Sequence, residues 1–195
     1  MHISWLSAPV PVYHVGQTLS ILTREYHSEN DFVEHVDDLR FVAVEDGYHI
    51  SVADDGTRRT VSANPFVPAL ETNYATENSR DEINAISGNP TVLFPLTVGK
   101  TSSHRITGGF AVAGSSERHW EFETKCAVTG QEYIVTKAGG FDTYRVHCVT
   151  TGDRNIQDTY DYAPKANLWV RHERLEELKD GTKLRKYQEV IKIGG

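Results

Sequence analysis

Hydrophobic and polar positions alternate most clearly from residue 120 onward. Trp120, Phe122, Thr124, Cys126 and Val128 fall on one side, and Glu121, Glu123 and Lys125 on the other. A period of two is the mark of a strand with one buried face. Thr129-Gly130 predicts a turn. Glu132, Ile134 and Thr136 then alternate with Tyr133 and Val135, Gly139-Gly140 predicts a second reversal, and Tyr144, Val146 and Cys148 alternate with Arg145 and His147. Residues 39–62 show the same grammar. Phe41, Val42 and Val44 lead into Asp46-Gly47, Tyr48, Ile50 and Val52 alternate, and Asp54-Asp55-Gly56 precedes Arg58–Val61. Asp-Gly supplies the left-handed residue of a tight hairpin, so this is a three-strand meander. A strand over Gln157–Ala163 and a long hairpin, Asn167–Leu178 with Thr182–Ile193 across Asp180-Gly181, complete the pattern. In that hairpin Leu168 and Val170 share a face opposite Trp169. The whole predicts an all-β chain whose antiparallel sheet curves over a core.

Elsewhere the pattern weakens. Two prolines keep residues 9–18 extended, and Ser20–Tyr26 fits a strand. Ser28–Asp38 is acidic and irregular, a short helix or a loop. Asn64–Leu70 is punctuated by proline. Glu71–Pro90 is polar and poor in β-branched residues, with a capping-box pattern (Ser79, Glu82) that predicts a short helix over Ser79–Ile86. This stretch reads as a connection. Pro11–Ser20 and Leu93–Ser103 both carry a proline followed by Val-Gly-polar-Thr. The match points to an internal duplication; a chance strand–Gly–strand pattern is the plainer account. The expectation is one domain, 1–195, with candidate halves 9–70 and 91–195 joined by 71–90 and at most one short helix.

Composition narrows the function more than the fold. The chain has 195 residues, 38% hydrophobic and 10% aromatic, enough for a real core. A net charge of −7 argues against nucleic acid, which needs a clustered basic face. The basic stretch Lys179–Lys192 is interleaved with acids and reads as a solvated hairpin face. No apolar run reaches the roughly 20 residues of a transmembrane helix. The N-terminus lacks the basic region and apolar core of a signal peptide, so an exported form requires a leader removed beforehand. Cys126 and Cys148 fit no zinc or C-x-x-C spacing. They are either a disulfide or two buried thiols; a catalytic thiol lacks neighbours that would activate it. With the strand Gln131–Thr136 between them, the two would stand roughly 9.5 Å apart, two strand spacings, beyond the reach of a disulfide. A bridge therefore demands a bulged or coiled sheet, or a middle strand that stops short near Thr129-Gly130.

The string Val135-Thr136-Lys137-Ala138-Gly139-Gly140-Phe141-Asp142-Thr143-Tyr144-Arg145-Val146 resembles the "VPAGTFDTYKV" signature of a bacterial extracytoplasmic β-rich domain family of unknown function. The resemblance extends to LFPLTVGKT (Leu93–Thr101), to Trp120, and to YDYAPKANLWVRHE (Tyr160–Glu173), similar to the family's "YWYAP" segment. It implies a curved antiparallel sheet or half-open β-barrel, a secreted, periplasmic or lipoprotein setting, and no catalytic residues. Lys137 replaces the signature's proline. Ser102 and His104 stand where the family often has Trp and Tyr, which would open a pocket there.

The chemistry candidates are few. Ser102, His104, Trp120, Tyr144 and Trp169 are the candidate ligand-binding residues, since curved sheets enclose apolar or sugar ligands on aromatic faces; ordinary core packing is the plainer account of the aromatics. His119 and Glu121 on one strand and His147 on another are residue types that hold zinc, yet scattered His and Glu are also what a solvated sheet face carries. No G-x-S-x-G, Walker or G-x-G-x-x-G motif occurs, and Gly114-Ser115-Ser116 reads as a turn. The expected function is a non-enzymatic extracytoplasmic module binding an envelope protein, lipid or glycan, without a cofactor. The alternative is a metal-dependent or carboxylate-based hydrolase on the polar sheet face.

Overall fold

The computed structural model describes residues 8–28, 31–75, 80–112 and 118–195. It contains twelve strands: β1 Thr18–Tyr26, β2 Phe32–Glu45, β3 Tyr48–Ala53, β4 Arg58–Val61, β5 Glu71–Asn73, β6 Arg80–Gly88, β7 Thr101–Val112, β8 Arg118–Thr136, β9 Gly139–Gly152, β10 Asn155–Ala163, β11 Leu168–Glu177 and β12 Lys183–Gly194. Each pairs antiparallel with the next, and β1 also pairs with β12, Thr18 opposite Gly194 through Tyr26 opposite Arg185. The sheet is thus a closed up-and-down barrel, not the half-open one expected. Closure uses the backbone groups that an open sheet would leave unpaired at its edges.

The acidic stretch before Asp38 is not irregular but the first half of β2, and the segment expected as a helical connection holds β5 and β6. Ser79, the expected cap, lies outside the described residues, as do Trp5 and Gly114-Ser115-Ser116. The helix prediction failed because Glu82 and Asn84 face the barrel interior; with polar residues on both faces, β6 carries no hydrophobic alternation. The single helical element among the described residues is a 3-10 turn at Pro90–Leu93.

Thr129-Gly130 is likewise not a turn. β8 runs through it, and the register with β9 slips between Val128 and Gly130 as a bulge. The strand expected to separate the cysteines is the continuation of β8 itself. Cys126 therefore sits directly opposite Cys148, Cα–Cα 4.0 Å, and the two form a disulfide.

One end of the barrel is closed. Leu93, Phe94 and Leu96 from the β6–β7 loop pack with Phe66, Val128, Val146 and Tyr162, and Ala8 bridges to Leu96. Beside them Tyr13, Leu19, Phe41, Leu168, Val170 and Val190 form a second cluster. The tip of the long β8–β9 hairpin reaches β12, where the Lys137 amide donates to Glu189 at 2.8 Å. The outer face carries several ion pairs beside exposed apolar side chains such as Ile83 and Val135. Arg105 pairs with Glu121 at 3.1 Å, and Asp161 is covered by Arg145 (3.1 Å) and Arg171 (2.7 Å), Arg145 also pairing with Glu132. No helix among the described residues is long and apolar enough to cross a membrane.

The two similar sequence stretches occupy equivalent places. Gly16, at φ +92°, donates to the Phe41 carbonyl at 2.8 Å, and the Phe41 amide returns a bond to Gln17 at 2.9 Å. Gly99, at φ +89°, donates to Val128 at 2.8 Å, and Val128 returns to Lys100 at 2.9 Å. The positive φ makes glycine the natural residue at both. β2 bulges just after Phe41 as β8 does just after Val128.

Candidate functional site: a divided barrel interior

Residues 62–70, between β4 and β5, turn inward instead of running outside the barrel. Asn64 fixes the segment at both ends of its side chain: Nδ2 donates to the Pro90 carbonyl at 3.0 Å and Oδ1 accepts from the Phe66 amide at 2.9 Å. Phe66 is buried, stacked parallel to Phe94 at 5.7 Å and tilted against Tyr160 at 5.3 Å. Further along, Ala69 accepts from Asn84 Nδ2 at 2.9 Å. This strap partitions the interior into a cavity of about 460 Å³ and another of about 390 Å³, with Pro65, Val67 and Pro68 lining both.

The larger cavity is walled by β6 to β11 and its residues come mainly from the strand halves away from the closed end. On one side stand half-buried rings: Trp120, with Phe110 at 5.6 Å and Phe122 at 6.4 Å. Trp120 lies across Gly108, and its indole N–H donates to Asn84 Oδ1 at 3.0 Å. A Cβ at Gly108 would stand 2.4 Å from both Asn84 Oδ1 and Trp120 Nε1, so glycine is what lets the indole lie there. Asn84 ties the aromatic wall to the strap.

Further round the same wall, on β10 and β11 beyond β9, is an ionic cluster. Asp158 is buried and accepts from His172 Nε2 at 2.7 Å, Arg174 Nε at 2.8 Å and the Arg174 terminal nitrogen at 3.2 Å. Burial alone would raise the Asp158 pKa; the His172 bond and the Arg174 charge outweigh it and hold the carboxyl below its ordinary range. Burial likewise acts to lower the Arg174 pKa, and the Asp158 charge more than reverses this. Tyr160 stacks on His172 with ring centroids 4.3 Å apart, and burial pushes its hydroxyl well above the usual range, so it stays neutral. From His172 Nδ1 the polar contacts continue to Gln188 (3.0 Å), Thr23 (3.1 Å) and Asp37 (3.1 Å), around the wall through β12, β1 and β2. Arg154, at the cavity mouth, pairs with Glu176 at 3.4 Å. The cavity thus offers ring faces, and charged donors and acceptors already held in place.

Of the residues singled out in the sequence, Trp120 and Trp169 line this cavity, while Tyr144 is buried in the closed-end core. Ser102 and His104 are buried on β7 and line neither cavity; both ring nitrogens of His104 lack a hydrogen-bond partner. The three metal candidates are not brought together. His147 lies opposite Ala127, eight residues along β8 from His119, roughly 26 Å at strand rise. Glu121 is taken by Arg105 and His147 meets Thr159 at 3.2 Å. No group of three metal-binding side chains occurs among the described residues. Asp158, Arg174, Glu82 and Asn84 were missed. Their signal was available in part: Asp158 and Arg174 keep the inward period of Ile156, Tyr160 and His172.

Fold and interior define a closed antiparallel barrel with a divided, ligand-sized lumen. No protein-family model matches the chain, and no curated protein matches it. Solved structures do. The chain is similar to a crystal structure described as the hypothetical lipoprotein YmcC from Escherichia coli K12, at TM-score 0.54 and 10% identity, covering 92% of this chain and 85% of that one. It is similar at TM-score 0.54 and 12% identity to an exported protein of Bacteroides fragilis described as having a YmcC-like fold, covering 96% of this chain and 100% of that one. At these identities the likeness is one of fold: a YmcC-like barrel.

Proposed function

We propose that the protein is a non-enzymatic, extracytoplasmic binding module whose ligand site is the larger cavity, and that the ligand is a glycan fragment. The observation that carries the reading is the presence of aromatic rings, Phe110, Trp120 and Phe122, and the Asp158–His172–Arg174 cluster on the lining of one cavity of about 460 Å³. Sugars present C–H faces that stack on rings and hydroxyls that bond to carboxylate and guanidinium groups. A concave site of this size suits a small ligand better than a protein surface. The extracytoplasmic setting is supported by the disulfide, which persists in oxidising compartments, and by neighbours described as lipoprotein and exported. A carboxylate-based glycosidase uses a carboxylic acid kept protonated as its general acid; Asp158, held as the anion, is not set for that role.

The test is calorimetric titration with oligosaccharides of hexoses, N-acetylhexosamines and uronic acids, together with tryptophan fluorescence. Saturable binding to at least one class, weakened at least tenfold by Trp120→Ala and by Asp158→Asn, supports the site. Absence of saturable heat across all three classes at millimolar concentration overturns it.

A further inference from the structure

The smaller cavity has a different chemistry, and the glycan reading does not use it. Its floor is apolar: Tyr13, Leu19, Ile21, Phe41, Val61 and Val190. Burial pushes the Tyr13 hydroxyl well above its usual range, so it stays neutral. No Asp or Glu is among the described residues that line it, whereas Arg59, Lys186 and Arg174 all do. Their charges are not equally compensated. Arg174 is matched by Asp158, on the larger cavity's side. Lys186 is 3.1 Å from Glu25, with both side chains partly in solvent. Arg59 is inward-facing on β4 opposite Ser51 and only partly exposed, and its guanidinium has no hydrogen bond or ion pair with a described residue. Asp55 on the β3–β4 turn feels its charge, but that carboxylate is already committed to the Thr57 amide at 2.8 Å and hydroxyl at 3.0 Å. A guanidinium facing an apolar chamber, with no carboxylate on the lining, is charge waiting for a counter-ion.

We propose that this second chamber is a binding site for a single-chain amphipathic anion. The head meets Arg59 and Lys186, and the hydrocarbon chain lies over Leu19, Ile21, Phe41 and Val190. A carboxylate fits a guanidinium in the two-point manner that Arg favours, and a chamber of about 390 Å³ is of ligand size. The strap residues Pro65, Val67 and Pro68 then form a common wall between two sites of unlike chemistry.

The experiment is calorimetric titration of the intact protein with decanoate, decyl phosphate and decyltrimethylammonium below their micelle concentrations, with acetate and inorganic phosphate as heads without tails. Decanoate is expected to bind at one site per chain and more weakly at high salt, with affinity rising about fourfold per added methylene from hexanoate upward. The cationic chain and the free heads are expected not to bind. Tighter binding of decyl phosphate than decanoate would assign the head as phosphate, as in a lipid headgroup, and equally supports an anionic site. Arg59→Gln should weaken decanoate at least tenfold with the far-ultraviolet spectrum and melting temperature unchanged, because the Arg59 guanidinium holds no structural bond; Lys186→Gln serves as the second variant. Equal binding of the cationic and anionic chains, or unchanged decanoate affinity in both variants, overturns the proposal. Trp120→Ala, which faces the other cavity, should leave decanoate binding intact, so this site and the glycan site fail separately.

Discussion

The first six strands and the last six follow one plan and arrive at different structures. Each half enters through a Val-Gly-polar-Thr stretch, each glycine amide donates to a carbonyl of the half's second strand, β2 or β8, and that strand bulges just beyond the bond. They diverge at the fourth and fifth strands. In the second half these are β10 and β11, of 9 and 10 residues, joined by a short turn. In the first half they are β4 and β5, of 4 and 3 residues. The chain released from those ladders becomes the strap, which fills and divides the lumen. The second half thus supplies most of the wall and the ionic cluster, and the first half supplies the partition. The difference teaches that a barrel with two short neighbouring strands stays closed while the chain between them forms an internal wedge.

The comparison breaks most sharply at Phe66, where the first half's strap is anchored in rings of the second. Phe66→Ala removes a buried phenyl packed on Phe94, Tyr160 and Tyr162. The expected loss is about 3–5 kcal/mol, read by denaturant unfolding, with the strap loosened enough to speed amide exchange at Leu70 and Asn84, which bond to Thr60 and Leu70. An unchanged midpoint would mean that the strap is dispensable to the wall.

The disulfide tests the other half alone. Replacing Cys126 and Cys148 by Ala together should cost about 3 kcal/mol for a loop of this length, with decanoate binding retained, since neither cysteine lines the smaller cavity. If the loss exceeds that of Phe66→Ala, the second half rather than the strap holds the molecule together.

Gly108→Ala acts at the seam. The added methyl must displace both Trp120 and Asn84 and also crowds the Ile83 carbonyl at 2.7 Å, at a cost of about 1–3 kcal/mol as an overpacking change. Displacing the indole from Asn84 also changes the ring's surroundings, so stability and tryptophan emission should move together. A shifted melting temperature with an unshifted emission spectrum would show that the methyl is absorbed elsewhere.

The same difference between halves explains what could be read from the sequence. β8, β9 and the start of the final hairpin were legible because most of their inward residues are apolar beside polar outward ones, as at Phe122 beside Glu121 and Glu123 and at Leu168 and Val170. β6 was illegible because it lines a cavity: Glu82 and Asn84 face inward, and the polar residues that make a site erase the pattern that announces a strand. Closure was also hidden. It depends on Thr18 meeting Gly194, a pairing that no local period records. Thr129-Gly130 has the composition of a turn, and only the ladder of β8 against β9 makes it a bulge.

His104 gives the finest contrast between the halves. It lies on β7 with both ring nitrogens unpartnered, while His49, on β3, meets Tyr13 and Phe41 edge to face at 5.1 and 6.4 Å. Burial lowers the pKa of His104, and burial with the nearby charge of His14 lowers that of His49. Below an unfolded value of about 6.5, the unfolded chain takes up protons that the folded barrel refuses. Stability therefore falls as the pH drops through that value and continues to fall until the depressed folded pKa is reached. His104→Leu removes an unsatisfied buried imidazole and should raise stability at pH 7 by about 1 kcal/mol. It should also flatten the decline between pH 7 and 5. His49→Leu should flatten the decline too, but lower stability at pH 7 through lost ring contacts. Melting temperatures of both variants across that range separate the two, and an unaltered slope in His104→Leu would remove His104 from the acid response.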